Sequence, residues 1–210
     1  MPWATLLVAC VSVAAFFSPR WSELLVYDRQ AVLNAELWRL ATASLVHFSG
    51  SHLFWNLLVF AVAGLSVETE DRKGFLAVCA LAALLPSITY VAACPEVARY
   101  GGLSGLSTGA MAYLCLHRLR DGGSNGAIWL SLLALIGVKA IFEIAAGTTL
   151  FVSLGEEPFR VLPSVHVMGF GGALCATLWA HSRRVPRRTA ERAPRTARHR
   201  APLLWRCSSL

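Results

Sequence analysis

The sequence predicts an all-α membrane protein: one bundle of six transmembrane helices followed by a basic tail. Three observations carry that expectation. Of 210 residues, 56% are hydrophobic and 15% charged, with a mean hydropathy of +0.55, whereas soluble domains carry roughly 25% charged residues. About 20 apolar residues cross the hydrocarbon core of a bilayer, and six stretches approach that length, at 3–19, 51–68, 74–93, 103–119, 127–147 and 163–181. Finally, the net charge of +7 is unevenly spread: Ser182 to Leu210 holds nine Arg and one Glu, leaving ten basic and eleven acidic residues elsewhere. The expected organisation is a membrane domain over 1–181 and a disordered cytoplasmic tail over 182–210.

The first stretch, Trp3 to Phe17, lacks the basic leader of a signal peptide, and no small-x-small cleavage site follows it, so it reads as a transmembrane helix. The Arg-rich tail belongs in the cytoplasm by the positive-inside rule, where it contacts anionic lipid. Its Arg residues serve as a topology anchor, and no nucleic-acid partner is expected. Six spans then put the N-terminus in the cytoplasm too, and the second, fourth and sixth spans begin outside. This places the chain as a multi-pass protein of a bacterial cytoplasmic (inner) membrane with an outward-facing site. The six cysteines show no metal or disulfide spacing, and there is neither a His-Glu-x-x-His helix nor a phosphate loop. Hence no cofactor and no metal are expected.

Polar side chains are costly in a bilayer core, so their placement is informative. His47, His52 and Asn56 lie near the start of the second span, Ser104 at the start of the fourth, and His166 near the start of the sixth. All fall at one outer-leaflet depth. His52 and Asn56, four apart, share a helix face. Ser104 follows Gly101 and Gly102, and the first-turn N–H groups of its helix are free to meet an oxyanion. Serine needs a base, and His166 is the candidate. A serine at a helix start is also a common N-cap, and lone histidines in membrane helices often only pack. It is their convergence that favours catalysis. No acidic residue obviously orients His166 from an outer span end, so a dyad is expected. Gly105 with Gly109, and Gly169 with Ala173, form small-x-x-x-small faces that let two helices approach closely. Lys139 and Glu143, four apart in the fifth span, read either as a structural ion pair or as a cavity-shaping, substrate-recognising pair.

With Glu36-Leu37-Trp38-Arg39, His47, His52 through Asn56, Gly102-Leu103-Ser104-Gly105 with Gly109, and His166 with Gly169, the chain resembles a rhomboid intramembrane serine protease over residues 36–176. The resemblance implies a rhomboid-like six-helix fold, Ser104 as nucleophile, His166 as general base, and His52 and Asn56 as oxyanion-hole donors. It also implies that Trp38-Arg39 sits in a loop helix whose Arg39 holds structure. The likeness is greatest to rhombosortases, from the Gly-Leu-Ser-Gly motif and from Lys139 and Glu143. Their implied substrates are exported proteins with a C-terminal Gly-Gly signal, an apolar helix and a basic tail. One departure is Thr108, where many rhomboids carry a Tyr stacked on the catalytic His. The expected partners are transmembrane protein substrates and the bilayer. The loop from Thr148 to Leu162, with Gly155, Glu156 and Glu157, is expected to cap the site. The rival readings are an inactive relative that binds transmembrane helices, and a transporter. The transporter lacks support, because no inverted repeat is visible and the polar groups cluster at one leaflet.

Overall fold

The computed structural model describes residues 1–122, 125–147 and 162–184, with side chains to 182. The expected cap over 148–161 and the tail beyond 184 lie outside the described residues. Each apolar stretch corresponds to one long helix: α1 Trp3–Phe17, α5 Gly50–Val67, α6 Arg72–Ala93, α7 Ser104–Arg120, α8 Gly126–Ala146 and α9 Ser164–Arg184. Among the described residues, α5, α6 and α8 qualify by length and hydropathy to cross a membrane. A fourth span is reached by joining α1 to α2 (Pro19–Leu25), which follows it at a bend of 119°. The protein is therefore a helical integral membrane protein.

Helix α7 is enclosed by protein, whereas α9 buries one face and exposes Val167, Leu174, Leu178 and Trp179 on the other. In α7, Gly105, Leu106, Ser107, Gly109, Ala110, Ala112, Tyr113, Leu114, Cys115 and His117 are all buried. It forms the axis against which α5, α6, α8 and α9 pack. A helix enclosed this way needs small and polar residues for close approach more than it needs hydropathy. By contrast, α8 fully buries just Ala140 and Glu143, with Trp129 and Leu133 partly buried against the core and much of the rest exposed.

The segment between α1 and α5 carries structure that hydropathy does not announce. Ser18 caps α2, whose first residue is Pro19, so the chain stops one helix and starts another within two residues. After α2 come a strand β1 (Tyr27–Asp28), a short helix α3 (Arg29–Leu33) and a turn of helix α4 (Arg39–Thr42). Strand β1 pairs antiparallel with β2 (Arg99–Tyr100), Tyr27 opposite Tyr100. Arg39 holds this region together: its Nη1 donates to the carbonyls of Glu23 (2.6 Å) and Val26 (2.8 Å), and its Nε to Glu36 Oε2 at 2.7 Å. That is the structural role expected for it.

The end of the bundle away from Ser104 is tied by carboxylates. Glu68, just beyond α5, accepts from Ala4 N, Thr5 N and Thr5 Oγ at 2.7–2.9 Å and so caps α1. Asp71 caps α6 through Gly74 N at 3.1 Å and accepts from Tyr113 Oη at 3.0 Å. Glu70 bridges Arg118 and His117.

Candidate active site

Ser104 is the first residue of α7, with Leu103 in the N-cap position and no side-chain capping bond. The hydroxyl is therefore not used as a helix cap. The turn that delivers it depends on Gly102, whose φ of +141° is a conformation side chains rarely adopt. A Cβ there would also press to 2.8 Å from His52 Cε1 and 3.0 Å from Nε2, with Ser104 Oγ 3.9 Å away. Gly102 thus opens the space that the His52 ring and the Ser104 hydroxyl both border.

The same turn is fastened from below. Gly102 N donates to Ala43 O at 3.1 Å, and Leu103 N donates to His47 Nε2 at 3.3 Å. His47 Nε2 is then the acceptor nitrogen, which leaves the proton on Nδ1, 3.3 Å from Leu45 O. Burial, reinforced by the neighbouring His52, pushes His47 down to about 3. It stays neutral and keeps accepting across the physiological range.

Helix α5 contributes His52 and Asn56, each 8% exposed. Their backbone is set by Ser49, which caps the helix through His52 N at 3.2 Å, and by Ser107 Oγ, which donates to Asn56 O at 2.8 Å and locks α5 to α7. Yet His52 Nδ1 and Asn56 Nδ2 are buried and have no hydrogen-bond partner among the described residues. Buried polar atoms in folded proteins nearly always find partners. Two such nitrogens four residues apart on one helix mark this face of α5 as a place where a polar ligand could be held.

His166 arrives on α9, two residues after Ser164, whose hydroxyl is 2.6 Å from Tyr90 Oη. Tyr90 is joined by ring contact to Tyr100, and Tyr100 by a hydrogen bond to Ser87, so this network anchors the start of α9 to α6 and β2. Further along, α7 and α9 touch backbone to backbone. A Cβ on Gly169 would stand 2.1 Å from Gly105 O, one on Gly109 would stand 2.9 Å from Gly169 O, and one on Gly105 would stand 3.2 Å from Val165 O. Ala173 is fully buried in the same seam. The small-residue faces thus bring the neighbours of Ser104 and His166 together. No hydrogen bond joins Ser104 Oγ to His166 among the described residues; such bonds commonly tighten only with substrate in place.

This geometry meets a family match: the chain matches the Rhomboid domain over residues 34–183. It belongs to the rhomboid family. Rhomboids are, in general, intramembrane serine proteases acting on transmembrane substrates. The matched region contains every site residue discussed above.

In this rhomboid the expectation that no acidic residue orients the histidine needs correction. Glu143, 0% exposed in the last turns of α8, has Oε2 2.5 Å from His166 Nδ1 and Oε1 2.7 Å from Lys139 Nζ. Lys139 and Glu143 do pair, but the pair reaches His166. The signal was present in the sequence: Glu143 lies at the site's depth on a helix running opposite to α9. The single pairing with Lys139 concealed that a carboxylate has two oxygens to satisfy. An ionised carboxylate only accepts, so the His166 proton sits on Nδ1 and the Nε2 lone pair is free to take a proton. Thr108 makes no hydrogen bond to His166 among the described residues, so the missing Tyr is not replaced by that hydroxyl.

Proposed function

We propose that the chain is a serine endopeptidase cutting membrane-anchored proteins near one face of the bilayer. Ser104 acts as nucleophile and His166 as general base, and His52 and Asn56 act as oxyanion-hole donors. The observation carrying this reading is the uncapped Ser104 hydroxyl bordering the same space as the His52 ring, on the face of α5 where His52 and Asn56 each keep a buried nitrogen without a hydrogen-bond partner among the described residues. Catalytic electrostatics require donors fixed in place before charge develops, and unmatched donors in a folded protein meet that requirement. Ser104 Oγ attacks the scissile carbonyl, and the resulting oxyanion accepts from the α5 donors and from the first-turn backbone N–H groups of α7.

The reading extends to topology and substrate. All six long helices serve as spans, α7 being enclosed by the others. The basic tail lies in the cytoplasm of a bacterial inner membrane against anionic lipid, which puts the site outside. The Gly-Leu-Ser-Gly motif together with Lys139 and Glu143 supports the rhombosortase branch, with substrates carrying C-terminal Gly-Gly sorting signals. The supporting roles of Gly102, Gly105, Gly109 and Gly169 are steric.

The test uses purified protein in detergent, a fluorophosphonate probe and a transmembrane substrate. Ser104→Ala and His166→Ala abolish labelling and cleavage, and Asn56→Ala lowers the labelling rate about 10²–10³-fold. Cleavage surviving in Ser104→Ala refutes the mechanism. A substrate lacking the Gly-Gly signal but cut at the same rate refutes the sorting role.

A further inference from the structure

The geometry points to Glu143 as a positioning residue for His166, itself held by Lys139, so that the site works as an ordered Glu143–His166–Ser104 array. The inference rests on reading Ser104 as the nucleophile.

Three observations carry it. First, a fully buried carboxylate in a membrane helix is costly unless paired, and Glu143 has 0% exposure. Second, its two oxygens are divided between two partners, Lys139 Nζ at 2.7 Å and His166 Nδ1 at 2.5 Å. A residue serving merely to close an ion pair with Lys139 has no need of the imidazole. Third, α8 buries just Ala140 and Glu143, so this carboxylate is its principal polar attachment at the site. Lys139, with a side chain 32% exposed, holds Glu143 Oε1 and leaves Oε2 to His166.

The chemistry balances without further reagents. As Ser104 Oγ bonds to the substrate carbonyl carbon, its proton passes to His166 Nε2. The ring becomes an imidazolium with N–H at both positions, facing an ionised Glu143 that keeps its charge. Collapse breaks the C–N bond, and the Nε2 proton leaves with the amine. Water then attacks the acyl ester, gives its proton to Nε2, and that proton returns to Ser104 Oγ as the acid product departs. Glu143 holds Nδ1 protonated throughout, which keeps Nε2 facing the reaction.

The test compares Glu143→Gln with wild type in kcat, KM and fluorophosphonate labelling rate. The expected result is a loss of about 10²–10⁴-fold in kcat and labelling, with KM little changed. Glu143→Asp recovers part of the rate. A structural clamp would lower the folded fraction and leave the kcat and labelling rate of the folded enzyme unchanged. Where Glu143→Gln unfolds, Lys139→Gln/Glu143→Gln leaves no unpaired buried charge, and the same loss is expected. Activity within threefold of wild type in the folded variant overturns the inference. Ser104→Ala and His166→Ala are run alongside. If both are dead while Glu143→Gln is active, the positioning role alone fails; if either is active, the protease reading fails.

Discussion

Gly169→Ala is the most exacting test of how the two catalytic helices are held. The added methyl would sit 2.1 Å from Gly105 O, 2.9 Å from Gly105 C and 3.2 Å from Gly105 Cα. All three obstacles are backbone, so no side-chain rotation relieves them. Restoring an ordinary contact of about 3.4 Å at the carbonyl opens α7 from α9 by about 1 Å. Gly105 directly follows Ser104, and His166 lies one turn before Gly169, so the opening acts directly on the proposed nucleophile and base. A misplacement of about 1 Å costs on the order of 10²-fold in rate, equivalent to about 2.7 kcal/mol of barrier. Overpacking of this kind also destabilises by roughly 1–3 kcal/mol. The assay is the fluorophosphonate labelling rate at saturating folded fraction, with unfolding in sodium dodecyl sulfate followed by circular dichroism. Gly171→Ala on the same helix is the internal control, since a Cβ there meets nothing within 4 Å; its labelling is expected to match wild type. If Gly169→Ala labels and unfolds like Gly171→Ala, the close α7–α9 seam is not what positions the site.

Two predictions concern pH. His47 is held down to about 3 from an ordinary 6.5, chiefly by burial. It therefore contributes stability present above pH 6.5 and lost as pH falls from about 6.5 towards 3. His47→Gln, neutral at every pH, should flatten that part of the stability profile, and an unchanged slope would contradict the assignment. Burial alone would raise the Glu68 carboxyl, but hydrogen bonds from the Ala4 and Thr5 backbone and the Thr5 hydroxyl, with Arg72 nearby, hold it below its ordinary 4.5. Its contribution is present above 4.5 and disappears as pH falls through the lowered value. Glu68→Gln should destabilise by about 1–3 kcal/mol at neutral pH and should be less sensitive to acid below 4.5, as read by equilibrium unfolding.

Much of the fold was legible because membrane helices must be apolar over a fixed length, and all six long helices coincide with apolar stretches. What hydropathy could not convey was which helices are enclosed. Helices α7 and α9 look weak as spans because Gly105, Ser107, Gly109 and His166 face protein, where lipid sets no requirement. The strands β1 and β2, at two residues each, are too short for any periodicity, and their pairing joins positions 27 and 100. Within the proposed site, Ser104, His52, Asn56 and His166 stood out in the sequence through their expected shared depth, a property that topology assigns without knowing contacts. Glu143 shared that depth, but its nearest sequence partner, Lys139, offered a complete local explanation. Long-range hydrogen bonds such as Glu143 to His166, or His47 to the Leu103 amide, depend on how helices rotate against one another, and sequence spacing does not encode that.

The capping of α1 by Glu68 also bears on how the protein is made. The amides of Ala4 and Thr5 have their acceptor 64 and 63 residues downstream. While the chain is being synthesised, the first helix therefore enters the membrane with these donors open to water or lipid headgroups. It is not completed until all of α5 has left the ribosome and turned back to the same face. The α1–α5 pair is thus the smallest piece of nascent chain in which the start of α1 is capped, and a ribosome stalled before residue 68 should leave that helix end accessible to protease.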